Sequence, residues 1–142
     1  MFGTSLALSQ NRLVVGSLSG RADSVVVFNV PDGELRFKET QSLTARAKNF
    51  GASVATSGDL VLVGAYDTLD ATSGTVFVFS MEDELTLTQE LSPSEHALSF
   101  GSSVAVSNNV IVVGADAFPS SSSVGSVHIF ETMDGSFTET DK

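Results

Sequence analysis

Along the middle of the chain, apolar and polar positions follow one another in the pattern of β-strands. Leu60 to Val63 is continuously apolar and β-rich, as expected for a strand covered on both faces, and Gly64 and Ala65 close it with small side chains. Before it, Ser53 to Thr56 is short and small, with Val54 its main apolar residue, and Ser57, Gly58 and Asp59 supply the chemistry of a tight hairpin turn. After a polar loop from Asp67 to Ser73, Gly74 opens Thr75 to Phe79, where Val76 and Val78 interleave with Phe77 and Phe79 in a second doubly covered strand. Met81 to Glu84 turn the chain. Leu85 to Leu91 then alternates Leu85 and Leu87 with Thr86 and Thr88, so the last strand is half solvated, and its polar positions predict a sheet edge.

The same succession occurs three times. FGTSLALSQNRLVVGS from Phe2, FGASVATSGDLVLVGA from Phe50 and FGSSVAVSNNVIVVGA from Phe100 share one pattern, spaced 48 and then 50 residues apart. A second block follows each: DSVVVFNVPDGEL from Asp23, SGTVFVFSMEDEL from Ser73 and VGSVHIFETMDGSF from Val124. Residues 1–142 therefore read as a single repeat domain with units 2–49, 50–99 and 100–142, each of four antiparallel strands. Side chains grade from small in the first strand, through two buried strands, to polar in the fourth. That gradient predicts an all-β fold of propeller blades, with the first strand at a crowded axis and the fourth at a wet rim. A β-trefoil-like threefold fold would also divide such a chain into three units of four strands, but its one-sided hairpins do not require apolar runs in both central strands.

Composition narrows the function. Hydrophobic residues make up 42% and charged residues 17%, enough to build a core and too apolar for a disordered acidic tail. The net charge is −10, and the 7 Lys plus Arg are scattered, which excludes nucleic acid and anionic membrane as partners. Without Cys there is no disulfide framework, thiolate nucleophile, zinc ribbon or iron–sulfur cluster. Runs such as Val110 to Val113 fall far short of the roughly 18 residues a membrane helix needs, so this segment is not expected to insert into a membrane. MFGTSLALSQ lacks the basic segment and long apolar stretch of a signal peptide. Asp32 and Glu34, then Glu82, Asp83 and Glu84, then Asp134 fall in the turns between third and fourth strands and place much of the negative charge at one rim, where it aids solubility.

The paired strings carry a resemblance. Phe2-Gly3, Phe50-Gly51 and Phe100-Gly101, closed by Gly16-Ser17, Gly64-Ala65 and Gly114-Ala115, resemble the FG-GAP repeat, the unit of integrin-alpha-like β-propellers. The Pro of that pattern is replaced by Leu18, Tyr66 and Asp116. Physically, each Phe is a plug suited to the space between neighbouring sheets, and the Gly after it lets backbones approach closely. Phe2, Gly3, Gly16, Phe50, Gly51, Gly64, Phe100, Gly101 and Gly114 are thus expected to be structural. The resemblance implies a noncatalytic binding or scaffold module, extracellular or at the cell surface, with a protein or glycan partner. It also implies calcium, held between the first two strands of a unit by a D-x-D-x-D-G type of spacing. Calcium takes about six to eight oxygen ligands. Ser9-Gln10-Asn11, Ser57-Gly58-Asp59 and Ser107-Asn108-Asn109 offer at most one carboxylate each, so no cofactor is expected there. Asp67 and Asp70, in a longer loop, are weak metal candidates.

No catalytic residue is nominated. His96 lies in the loop SPSEHALS, and His128 lies in a strand at the position of Phe77 and Val26, where a packed role is expected. Ser120 to Ser123 reads as a loop without a G-x-S-x-G elbow. Closed propellers have about four to eight blades, and three units do not close a ring. The outer faces of the first and last units, carrying Val26, Phe28, Ile129 and Phe130, are expected to lack a neighbour. Further chain, a protein partner or self-association, two chains giving six blades, would complete the propeller. The loops ARAKN, PSEHALS and Ala117 to Val124 share no pattern, as in surfaces built for binding. Two other readings stand beside the binding module: a carbohydrate-binding or carbohydrate-active propeller, and a structural element of a larger assembly. The first is poorly supplied with aromatics, having no Trp and the single tyrosine Tyr66.

Overall fold

The computed structural model describes residues 1–19, 23–34, 36–67, 74–81, 83–95, 97–116, 124–132 and 134–142. Asp70, Glu82, His96 and Ser120 to Ser123 lie outside the described residues. Three antiparallel sheets are seen. The first holds β1 (Phe2–Ser9), β2 (Arg12–Ser17), β3 (Ser24–Asn29) and β4 (Lys38–Leu43). The second holds β5 (Ser53–Ser57), β6 (Leu60–Ala65), β7 (Thr75–Met81) and β8 (Leu85–Leu91). The third holds β9 (Phe100–Ser107), β10 (Val110–Ala115), β11 (Ser126–Thr132) and β12 (Phe137–Asp141). Within each sheet the spatial order is the chain order, so each is a four-stranded meander, or blade, and no strand is shared between sheets. The β-trefoil-like alternative is therefore not the architecture formed. Among the described residues no helix is long and apolar enough to cross a membrane.

Two-residue turns join first and second strands, with left-handed backbone at Gln10 (φ 49°), Gly58 (φ 56°) and Asn108 (φ 50°). The register then sorts side chains between the two faces. Val61 pairs with Phe79 and Val63 with Phe77, while Leu62 pairs with Val78 and Gly64 with Val76. The first set joins Val14, Val25, Val27 and Phe50 in one core, between the first and second blades. The second set joins Phe100, Ile111, Val113 and Phe130 in another core, between the second and third. The middle blade is thus core on both sides, which is why its central strands are unbroken apolar runs. Each fully buried Val or Phe there contributes about 1.5–3 kcal/mol.

First strands of successive blades adjoin, β1 beside β5 and β5 beside β9, and fourth strands lie at the edge. In every blade the pairing of third and fourth strands shifts register at one place, between Val27 and Phe28, Val78 and Phe79, and Ile129 and Phe130. Such a bulge bends the edge strand and blunts it against further pairing. The acidic turn residues Asp32, Glu34, Asp83, Glu84 and Asp134 are exposed, and Glu34 holds Lys38 at 2.7 Å.

One expectation about the outer faces is corrected. Val26, Phe28 and Ile129 do lie on faces without a neighbour, but Phe130 is buried in the core shared with the middle blade. Strand parity decides this: Phe130 alternates with Ile129, and Val127, on the same face as Ile129, is the residue left exposed.

Candidate functional site: the blade junctions and the two open faces

The two internal junctions share one construction. At the first, Ser5 Oγ donates to the Gly51 carbonyl at 2.7 Å; at the second, Ser53 Oγ donates to the Gly101 carbonyl at 2.7 Å. A Cβ on Gly16 would overlap the Gly51 carbonyl oxygen, and one on Gly64 would overlap that of Gly101, so only glycine lets these backbones meet. Gly51 and Gly101 themselves stand at φ 91° and 89°, a conformation that L side chains rarely adopt. The phenylalanine before each fills the space between sheets. Phe50 sets its ring edge-on to Phe77 at 5.3 Å and to Phe79 at 6.4 Å, and Phe100 meets Phe130 at 6.0 Å.

At the rim a second fastening repeats. Gln41 spans the first junction, its amide nitrogen donating to the Leu85 carbonyl at 2.7 Å while its oxygen accepts the Leu85 N–H at 2.9 Å. Gln89 makes the same pair of bonds to Phe137, at 2.7 and 2.8 Å. The first junction has one addition. Arg12, buried, donates through Nη1 to the Gly58 carbonyl at 2.8 Å and reaches the Met81 sulfur at 3.2 Å. Sequence reading found the Phe and Gly partners but not these serine, glutamine and arginine contacts, whose acceptors lie 44 to 69 residues away.

Both outer blades present half of such a junction. On the first blade, Phe2 repeats the plug, edge-on to Phe28 at 6.5 Å, with Gly3 at φ 84°. Yet Phe2 is 64% exposed where Phe50 and Phe100 are 0%, and Phe37 is 43% exposed where its counterparts Leu85 and Phe137 are 3% and 6%. On the third blade, Val127 is 53% exposed where Val25 and Val76 are 0%. Beside it lies a pocket of about 510 Å³ lined by Ser103, Gly114, Ala115, Gly125, Ser126 and Val127. Position for position these match Ser53, Gly64, Ala65, Gly74, Thr75 and Val76, the residues that receive Phe100 and Gly101 at the second junction. The atoms nearest to a Cβ on Gly114 all belong to Ser103, and none is a carbonyl of another blade.

A family model for the FG-GAP repeat matches residues 38–79 and 86–130, more than half of the chain. The chain belongs to the FG-GAP repeat family. No curated protein shows significant similarity to it. Each matched FG-GAP segment runs from one blade's fourth strand into the first three strands of the next: β4 through β7, then β8 through β11. The family unit therefore straddles a junction, and the FG and GA pairs at its heart are the atoms of the contact just described.

Within the third FG-GAP blade, His128 takes the place of Phe77. Its ring is buried and edge-on to Phe100 at 5.3 Å and 79°, close to the 5.3 Å and 74° of Phe77 on Phe50. The imidazole thus does the packing of a phenyl ring. Its nitrogens are met by Ser126 Oγ at 2.8 Å and by Glu139 Oε1 at 2.6 Å, and Glu139 Oε2 accepts the Ser94 N–H at 2.6 Å. Burial alone would raise the Glu139 carboxyl, but the hydrogen bonds from His128 and Ser94 outweigh it and hold its pKa below the ordinary value of 4.5. Sequence reading missed Ser126 and Glu139. The alternation Ser126-x-His128 on one strand face was a readable signal, whereas Glu139 lies across a turn.

At the end opposite the acidic turns, the loop between β2 and β3 and the loop after β6 are both tied to the connection between the first two blades. Asp23 accepts the N–H groups of Ser19 at 2.9 Å and Asn49 at 3.0 Å, and Asn49 Nδ2 donates to the Tyr66 carbonyl at 2.8 Å. Asp67, one of the two metal candidates, holds the Lys48 ammonium at 2.8 Å. Among the described residues no three acidic or histidine side chains converge as metal ligands.

Proposed function

We propose that this FG-GAP protein is a noncatalytic scaffold that displays the connections at the Asn49 and Tyr66 end of its blades to a protein partner outside the cell or at its surface. One observation carries the reading: the glycine, serine and glutamine contacts repeat from one junction to the next, while the connections at that end differ in sequence and length from blade to blade. A rigid frame with variable loops is suited to recognition. One of the chain's few cations, Arg46, stands exposed in the loop between the first two blades, against a molecule of net charge −10. It favours an acidic patch on the partner.

Surface capture with the immobilised chain tests this. Binding of a surface or secreted protein, lost in Arg46→Glu, supports it; binding indifferent to that variant overturns the loop assignment. The glycan reading predicts selective binding on a glycan array, abolished by Tyr66→Ala. Turnover of any glycoside or ester, lost in His128→Phe, overturns the noncatalytic reading. This reading calls for no calcium, and millimolar calcium is expected to leave the melting temperature unmoved.

A further inference from the structure

We infer that two copies of this chain dock head to tail through their open faces, the Phe2–Gly3 edge of each entering the Gly114–Gly125 pocket of the other, to close a ring of six blades. This stands apart from what the loops bind. The occupant of the pocket is specified by the second junction, where the six matching residues hold a Phe-Gly pair with glycine at φ 89°. The first blade carries that pair preformed, with Gly3 at φ 84° and Phe2 already set against Phe28. The inserting pair is already set in its junction conformation, which removes part of the ordering cost of association. Ser103 Oγ stands where Ser5 and Ser53 donate across their junctions, so its acceptor in the pair is the Gly3 carbonyl.

Closure follows from blade count. Propellers close with about four to eight blades. Two copies of three blades fall inside that range and three copies fall outside it. The contact is heterologous, and a twofold ring contains it twice. At the rim the match is partial. Asp141 occupies the register position of Gln41 and Gln89, opposite Ile129 as they are opposite Val27 and Val78. A carboxylate accepts the Phe37 N–H but has nothing to donate to its carbonyl.

Light scattering across a concentration series tests the ring. The expected particle has twice the 14.8 kDa chain mass. Phe2→Asp and Val127→Asp each spoil one face and leave the other, so each alone should be monomeric, while their mixture regains a pair through its one intact junction. Asp141→Gln restores the missing donor at both junctions and should tighten the pair about twenty-five-fold, the size of two net hydrogen bonds. Leu87→Asp, on an exposed position of the middle blade, should change nothing. Far-UV circular dichroism confirms that each variant keeps its strands. A folded wild-type monomer at high micromolar concentration overturns the inference and leaves the faces to further blades of the same protein. A mixture that fails to pair overturns the head-to-tail geometry, and a ladder of larger masses overturns closure.

Discussion

Exchanging phenylalanine for histidine at one position shows how a repeat absorbs a polar residue. His128 keeps the edge-on contact with Phe100, and its nitrogens are satisfied by Ser126 and Glu139. If packing is its role, His128→Phe should fold and melt at or above the wild-type temperature, since Phe77 already fits the equivalent place. His128→Ala opens a cavity and strands the nearly buried Glu139 carboxylate, at a cost of about 3 kcal/mol by denaturant titration. Glu139 also gives the fold an acid limb. Its pKa is lowered on folding, so its stabilisation is fully present above the ordinary value of 4.5 and is lost as pH falls through the lower folded value. Glu139→Gln should flatten the fall in stability below about pH 4 while leaving the neutral region less affected.

Strands and junctions carry the next level of stability. Gly64→Ala forces a methyl group into the Gly101 carbonyl and the Ser53 hydroxyl, and should cost about 3 kcal/mol. Gly114→Ala meets Ser103 and no carbonyl of another blade, and should cost far less in the isolated chain, though it fills the pocket that the inferred second copy would enter. Thermal melts of the two variants compare the closed junction with the open one. Gln41→Ala and Gln89→Ala each remove two cross-blade bonds and should each cost about 1–2 kcal/mol. Most of the strand layout was legible, because Leu60 to Val63 and Val76 to Phe79 have a pattern that local burial alone dictates. What was not legible depended on the neighbour. A doubly covered strand does not say which of its faces meets which blade, so Phe130 was expected outside when parity turns it inward. The serine and glutamine fastenings were hidden for the same reason, since each spans most of a repeat to reach its acceptor.

For the whole molecule, charge and apolar area act against each other. Each copy carries −10, much of it in exposed turns at one end, while Phe2, Leu6, Leu8 and Val127 leave apolar area on the open faces. In the inferred pair, two copies would attract through their faces and repel through their net charge. Raising the salt concentration screens the repulsion and should shift the light-scattering midpoint for pairing to lower protein concentration. The segment matched by the family model has a consequence for how such chains change length. Because it begins in one blade and ends in the next, copying it duplicates a finished interface rather than a finished sheet. An inserted copy arrives with its own Phe-Gly pair and with the glycine and serine that receive the next one. Blade number can then grow or shrink by whole units without any new surface having to be invented.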